Sequence, residues 1–322
     1  MKRTVQSVVP ASTSNLGPGF DLLGLALDLY LRMTVTVEGE FVMSGTASPD
    51  LTLSWDGEGG DPPSAVPLDE GNLAVRGLAT IWEEAGVALD GRVTITARSE
   101  IPVSRGLGAS GAAIVAGLLA GGHLCESELE KEQMLPLAAS LEGHPDNVAP
   151  SLHGGLVAAA PVGTEERILV ERDTLFEEYL LAAVVPDLAL TTRLARDALP
   201  SHVTHREAVS SQQRSFFLYR ALTEGRSWDL RSLVTDTLHQ PHRAPLIPAF
   251  DDLIECAYKQ GAQAAWLSGS GPSILVLLEG TPEKAEAIGR SLEARWAEEE
   301  VASKTLILGP DNWGAVVHEV GE

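Results

Sequence analysis

At 322 residues, 44% hydrophobic and only 5% aromatic, the chain is long enough for two packed cores built mainly from Leu, Val, Ile and Ala, which excludes a disordered or collagen-like polypeptide. Its formal net charge of −22 repels nucleic acid and anionic lipid, so neither is expected as a partner, and any polyanionic ligand needs a locally positive site. Two cysteines, Cys125 and Cys256, without a CxxC pattern exclude a disulfide framework and a structural zinc site.

The opening residues MKRTVQSVVPASTSN contain no apolar h-region, and no run of about 18 apolar residues follows, so a soluble cytoplasmic protein is expected. Residues 4–10 predict a strand. A loop follows over Ala11–Gly19 (ASTSNLGPG), then an apolar run and a second strand at 31–38. From Ser44 to Asn72 the chain is rich in Gly, Pro and Asp and reads as loops around one short strand, LTLSW; its acidic part, 56–70, is a candidate mobile flap. A helix is expected over 73–86.

Residues 91–99 alternate, with Val93, Ile95 and Ala97 on one face and Thr94, Thr96 and Arg98 on the other. The glycine loop PVSRGLGAS (102–110) leads from this strand into the Ala-rich helix GAAIVAGLLAGG. A second helix is expected from a capping box, Ser127-x-x-Glu130, to Glu142, kinked at Pro136. Farther on come strands at 156–162 and 181–186 and a helix from the capping box Thr204-x-x-Glu207. Strands AAWLSG and SILVLLEG flank another glycine loop; a helix then opens at Thr281-Pro282, and strands TLIL and AVVHEV end the chain. Irregular mixing of strands and helices predicts an α+β fold, and no internal repeat is visible.

The loop at 102–110 has the chemistry of an anion cradle. Gly106, Gly108 and Gly111 let backbone N–H groups approach a phosphate, and the following helix offers its N-terminal amides and dipole. It lacks the Gly-Lys-Ser/Thr of a Walker loop and the acidic residue about 20 positions on that marks a dinucleotide fold. Alone, it is also compatible with a plain strand-to-helix turn.

Three ordered segments together resemble the GHMP kinases: Pro10–Asp21 (PASTSNLGPGFD), Pro102–Ala113 (PVSRGLGASGAA) and Trp266–Ser273 (WLSGSGPS). Four segments are similar to the homoserine kinase family in particular: Asn15–Asp21; Glu142–Pro150 with His153-Gly-Gly; Thr191-Thr-x-x-x-Arg196; and His239–Arg243 followed by LIP. One departure is Ala109, which stands where the superfamily usually has the first of two serines, so a hydroxyl contact to phosphate is lost while Ser110 remains.

The resemblance implies a two-domain α+β fold, with an N-terminal domain (1–160) like part of a ribosomal small-subunit protein and a ferredoxin-like C-terminal domain (161–322). It implies ATP-dependent phosphorylation of L-homoserine on its side-chain hydroxyl, the kinase step towards threonine, by a homodimer. ATP would be held by Asn72, Pro102, Val103, Ser104, Arg105, Gly106, Leu107, Gly108, Ala109, Ser110, Gly111 and Ala112, with Asn72 on adenine and Mg2+ on Ser110 and Glu142. The substrate would meet Asn15, Asp21, His144, Asn147, Thr192, Arg196, Arg243 and Gly269. Two guanidiniums suit an α-carboxylate and Asp21 suits an α-ammonium. Asn147 is expected to position the hydroxyl, while Asp146, at the position of a catalytic aspartate in mevalonate-like members, is expected to be mainly structural. The segment Gly143–Asn147 has turn-forming composition and could be only a turn. The spacing His239-x-x-His242 invites a metal reading but lacks a third ligand. Another GHMP kinase, or a nucleotide-binding homologue without catalysis, remains as an alternative.

Overall fold

The protein is described from a computed structural model covering residues 1–45, 47–57 and 66–321, with the backbone alone at 164–166. Most of the expected flap, residues 58–65 of 56–70, lies outside the described residues. The chain opens with β1 (Lys2–Ser14), β2 (Leu23–Met43) and β3 (Asp50–Asp56), then α1 (Leu73–Glu84) and β4 (Val87–Ser99). Three helices follow, α2 (Ala109–Leu124), α3 (Lys131–Glu142) and α4 (Pro145–His153), then β5 (Leu156–Val162), β6 (Thr164–Asp173) and β7 (Tyr179–Pro186). The remainder is α5 (Thr192–Asp197), α6 (His205–Glu224), α7 (Leu230–Leu233), α8 (Gln240–Arg243), α9 (Phe250–Lys259), β8 (Ala264–Leu267), β9 (Ile274–Glu279), α10 (Pro282–Glu298), β10 (Ser303–Leu308) and β11 (Val316–Glu319).

Seven strands form the first sheet, ordered β11-β1-β2-β4-β3, with β5 and β6 branching from the start of β2. All pairs are antiparallel except β3 with β4. The 21-residue β2 makes the branch possible, since Leu23–Leu25 pair with β5 and Leu31–Met43 with β4. Part of the expected loop, and the apolar run after it, are therefore strand. Ala11–Ser14 extend β1 beyond a register shift at Pro10/Ala11, and the apolar run after the loop begins β2. Both stretches are buried, so their backbone groups need ladder partners. The expected boundary at 160 falls inside β5, and β6 and β11 also belong to this sheet.

The second sheet, β10-β7-β9-β8, is wholly antiparallel. Successive residues of β7 sort into two cores: Leu181, Ala183 and Val185 join the core of the first sheet, while Ala182 and Val184 pack with Ile288, Leu292 and Trp296 of α10. A sheet covered on both faces explains why these strands read as continuous apolar runs.

Helix α2 is buried on nearly every side, which explains its unbroken Ala/Gly/Leu composition. Small residues let α1 lie directly on it: a Cβ at Gly117 would stand 2.0 Å from the Ala74 carbonyl oxygen. Helix α3 starts at Lys131 with Glu130 as N-cap and Gln133 closing the box, so the expected Ser127–Glu130 box is displaced by three residues. Ser127 instead accepts from the Leu129 N–H in a local turn. Pro136 lies within α3, which continues to Glu142. The Thr204–Glu207 box does cap α6, and Thr281 caps α10 with Pro282 at its start.

Gly117→Ala is expected to lower stability by about 1–3 kcal/mol through overpacking against backbone. Gly122→Ala should be near neutral, because the nearest atom its Cβ would meet is the flexible end of Met134 at 3.1 Å. Urea unfolding of both variants checks the contrast.

Candidate active site

The three glycine-bearing segments converge where the two sheets meet. Gly108 caps α2 with φ 73°, a left-handed conformation, and a Cβ there would lie 2.2 Å from Ser12 Oγ. The loop is tied to β1 by the bond from Ser12 N–H to Leu107 O, at 3.2 Å. Ser268 Oγ lies 2.7 Å from Gly106 O and 2.9 Å from Thr13 Oγ1, which fixes the third segment against the other two. The first N–H groups of α2 are left without helical acceptors, as at any helix start.

A cavity of about 230 Å3 opens beside this junction. Of the expected nucleotide residues, Pro102, Val103, Ser104, Gly106, Leu107, Gly108, Ala109 and Ser110 line it, as do Asn147, Thr192 and Gly269. Four others do not. Arg105 turns away to Asp187 at 2.9 Å. Gly111 and Ala112 are packed inside α2, with Gly111 close against Asn147 and Val148. Asn72, expected on adenine, spends its carboxamide on structure: Oδ1 accepts from Ala74 N–H at 2.9 Å, capping α1, and Nδ2 donates to Pro67 O at 2.8 Å. It holds the cavity wall rather than forming it. Ser270 of the third glycine segment also lines the cavity, as do Trp55, Val66, Pro67, Leu73 and Leu190, which were not singled out from the sequence. Only Trp55 gave a signal, as the aromatic end of the alternating strand LTLSW.

At the head of α2, Ser110 Oγ donates to Glu142 Oε1 at 2.6 Å, so the C-terminus of α3 is brought to the loop. Burial raises the Glu142 pKa, against the lowering effect of the Ser110 bond and the nearby His144. A half-buried carboxylate whose direct bond is to a neutral hydroxyl is suited to a cation.

A second, charged group of residues adjoins the cavity through Gly269. Arg196 of α5 binds Asp21 with both terminal nitrogens, at 2.9 and 3.2 Å. Arg243 is only 2% exposed. Its guanidinium donates to Gly269 O at 3.0 Å, Ala195 O at 3.3 Å and His239 Nδ1 at 3.2 Å. Burial, then the charge of Arg196, pulls the Arg243 pKa down to about 10. His239 is held neutral chiefly by burial; its Nε2–H donates to Gly17 O at 2.8 Å, which leaves Nδ1 as the acceptor. With both nitrogens committed it is no metal ligand, and among the described residues His242 joins no metal-binding group.

Phe20 sits between these cations. Its centroid is 5.8 Å from Arg196 Cζ and 5.4 Å from Arg243 Cζ, and it stacks on His239 at 5.3 Å. The loop carrying it is strained: Asn15 (φ 71°), Leu16 (φ 47°) and Asp21 (φ 54°) are all left-handed without being glycine. The Asn15 side chain stabilises the arrangement by accepting from Asp21 N–H at 3.0 Å and donating to Gly269 O at 2.9 Å.

The segment Gly143–Asn147, compatible with a turn in the sequence, opens α4 with His144 as its N-cap and Pro145 in its first turn. Asp146 is buried and binds His144 Nδ1, while its Oδ2 has no partner among the described residues. Donor atoms of Asp21, His144 and Asp146 all lie within 4.8 Å of one another. Burial opposes the charge of His144, but the Asp146 bond and the carboxylates of Asp146 and Glu142 outweigh it, so its pKa is raised above 6.5. Asn147 Oδ1 accepts from Ser12 Oγ at 3.2 Å.

Residues 72–155 match the family model for the GHMP kinases N terminal domain, and residues 218–298 that for the GHMP kinases C terminal domain. The homoserine kinase of Leifsonia xyli subsp. xyli is 39% identical over 325 residues, covering 99% of this chain and 94% of that one. That of Caldicellulosiruptor saccharolyticus is 38% identical over 315 residues, 97% and 96% of the two chains. The crystal structure of homoserine kinase from Cytophaga hutchinsonii superposes with a TM-score of 0.83 at 26% identity, covering 99% of this chain and 98% of that one.

A raised His144 pKa means that protonation stabilises the fold fully below the unfolded pKa, near 6.5, and that this contribution is lost as pH rises through the folded pKa. Asp146→Asn should flatten that dependence, with burial then driving the His144 pKa below 6.5. NMR titration of the imidazole and melting temperatures across the same pH range check both.

Proposed function

The chain belongs to the homoserine kinase family of the GHMP kinases, and we infer that it transfers the γ-phosphoryl group of ATP to the side-chain hydroxyl of L-homoserine, giving O-phospho-L-homoserine. One observation carries this reading: the cavity beside the amide-rich start of α2 adjoins, through Gly269, a group of one carboxylate and two arginines. The first suits a nucleoside triphosphate and the second an amino-acid zwitterion.

The N–H groups at 108–110 would hold the phosphates, supplying local positive potential in a chain of net charge −22. Ser110 and Glu142 would hold Mg2+, whose contribution when bound is to neutralise charge on the β- and γ-phosphates. Arg196 and Arg243 would take the α-carboxylate and Asp21 the α-ammonium, so substrate exchanges contacts with the existing Arg196–Asp21 pair. Asn15 would brace that end, with Thr192, His144 and Gly269 bordering the bound amino acid.

Asn147 lines the cavity and has its oxygen occupied by Ser12, so its Nδ2 is the group that would position the substrate hydroxyl. Phosphoryl transfer passes through a loose transition state, and alignment lowers its barrier more than deprotonation does. Asp146, committed to His144, would act by orienting that imidazole. We also propose that the enzyme is a cytoplasmic homodimer; no helix among the described residues is long and apolar enough to cross a membrane.

ADP release with Mg·ATP should be robust on L-homoserine and absent on mevalonate, galactose and L-serine. Turnover on mevalonate instead would overturn the ammonium role of Asp21. Arg196→Ala should lower kcat/KM for L-homoserine by about 100-fold or more, because an ionic clamp is lost. Asp146→Asn should lower kcat by less than about tenfold, whereas a general base would cost roughly 100- to 10,000-fold.

A further inference from the structure

Ser12 is wholly buried on β1, just beyond the register shift at Pro10/Ala11, and it touches two parts of the site at once. Its N–H donates to Leu107 O at 3.2 Å, which ties it to the glycine loop. Its hydroxyl donates to Asn147 Oδ1, also at 3.2 Å, in the first turn of α4. The hydroxyl has room because residue 108 is glycine, since a Cβ there would lie 2.2 Å from Ser12 Oγ. The starts of α2 and α4 also press together, with a Cβ at Gly111 standing 3.3 Å from Asn147 Cβ.

Asn147 needs such a neighbour. A carboxamide has an accepting end and a donating end, and a half-turn about its last side-chain bond exchanges them. Ser12 breaks that symmetry. Among the described residues its hydroxyl proton has one acceptor, Asn147 Oδ1. Were the amide reversed, Nδ2 would face Ser12 Oγ and the serine proton would be left buried and unspent, at the full desolvation cost of a lost donor. The favoured orientation therefore keeps Oδ1 on Ser12. Asn147 is half-buried and lines the cavity, and Nδ2 is the end left for a ligand.

We propose that Ser12 is a positioning residue for phosphoryl transfer, locking the Asn147 carboxamide in the orientation that presents its N–H to the substrate hydroxyl. The role rests on the reading of this site as that of a homoserine kinase. Nδ2–H holds the hydroxyl oxygen through one lone pair and leaves another free for phosphorus. A reversed amide would hold the hydroxyl proton instead. That proton has to pass to a phosphoryl oxygen as the new O–P bond forms and the bond to the ADP oxygen breaks, and a neutral amide cannot take it. Because Ser12 is itself fixed to the glycine loop, the group that aligns the acceptor is referenced to the loop that holds the donor.

The test is a double-mutant cycle of Ser12→Ala and Asn147→Ala, followed in single turnover with Mg·ATP and L-homoserine. Ser12→Ala should lower the transfer rate about tenfold, the scale of one hydrogen bond that no longer holds a geometry. KM for ATP should stay within about twofold, because alanine keeps the backbone N–H that holds Leu107. ADP released per O-phospho-L-homoserine formed should rise, since water competes for the phosphoryl group when the hydroxyl is poorly held. Adding Ser12→Ala to Asn147→Ala should cost nothing further, because Ser12 acts through that carboxamide alone. Ser12→Cys keeps much of the volume with only a weak donor, and it should show the same split if the alanine variant does not fold. A full further loss in the double variant, or a raised KM for ATP at unchanged rate, would overturn the role and make Ser12 a structural part of the loop. Wild-type rates in both Ser12 variants would overturn it as well. Absence of turnover on L-homoserine by wild type would overturn the reading of the site, and the role with it.

Discussion

The carbonyl oxygen of Gly269 accepts from Asn15 Nδ2 at 2.9 Å and from Arg243 at 3.0 Å, while the Gly269 N–H donates to Ser14 O at 3.1 Å. These bonds join the end of β1, the loop after β8 and the buried guanidinium in one place. Next to them, Ser268 ties Gly106 into the same seam. The glycine loop, the strained Asn15–Asp21 loop and the arginines therefore cannot be positioned independently. Backbone-to-backbone proximity of this kind tolerates little side-chain bulk: a Cβ at Gly106 would stand 2.2 Å from Ser268 O.

Charge is arranged against the grain of the molecule. The chain is strongly acidic, yet its site gathers Arg196 and Arg243 around one phenyl ring and the bare amides of α2 beside a cavity. Burial is costly to a charge and two like charges so close repel, which is why the Arg243 pKa falls to about 10. Phe20, the bidentate Asp21 and three acceptors on Arg243 offset that cost. Such a group is ready for a carboxylate, since an added anion relieves repulsion already present. The half-buried Glu142 is the mirror case, a carboxylate whose pKa burial raises.

Amphipathic alternation at 91–99, the capping box at Thr204 and Pro282 after Thr281 were read correctly because each depends only on neighbours in sequence. Errors arose where burial decided the outcome. Ala11–Ser14 carry loop-like polar side chains but form strand because β2 covers them. Ser127 and Glu130 have the spacing of a capping box, yet the helix begins three residues later, where Glu130 and Gln133 supply an equally good one. Asn72 caps α1 with the same carboxamide that the resemblance puts on adenine, a bond that its sequence position alone does not reveal.

Local sequence alone determined the periodicity of the strands, most helix starts and the identity of the three glycine segments, because propensity and capping act over a few residues. It also determined the chemical inventory of the site: amides, one seryl hydroxyl, carboxylates, two arginines and an asparagine. Tertiary structure decided which of these meet. The Arg196–Asp21 pair spans 175 positions and the Asn15–Gly269 bond spans 254, separations over which no local pattern carries information. Folding likewise decided that Trp55, on an edge strand far from every motif, would be buried in the cavity wall. Contacts between distant segments are set by how two sheets and their helices exclude water together, and that is a property of the whole chain.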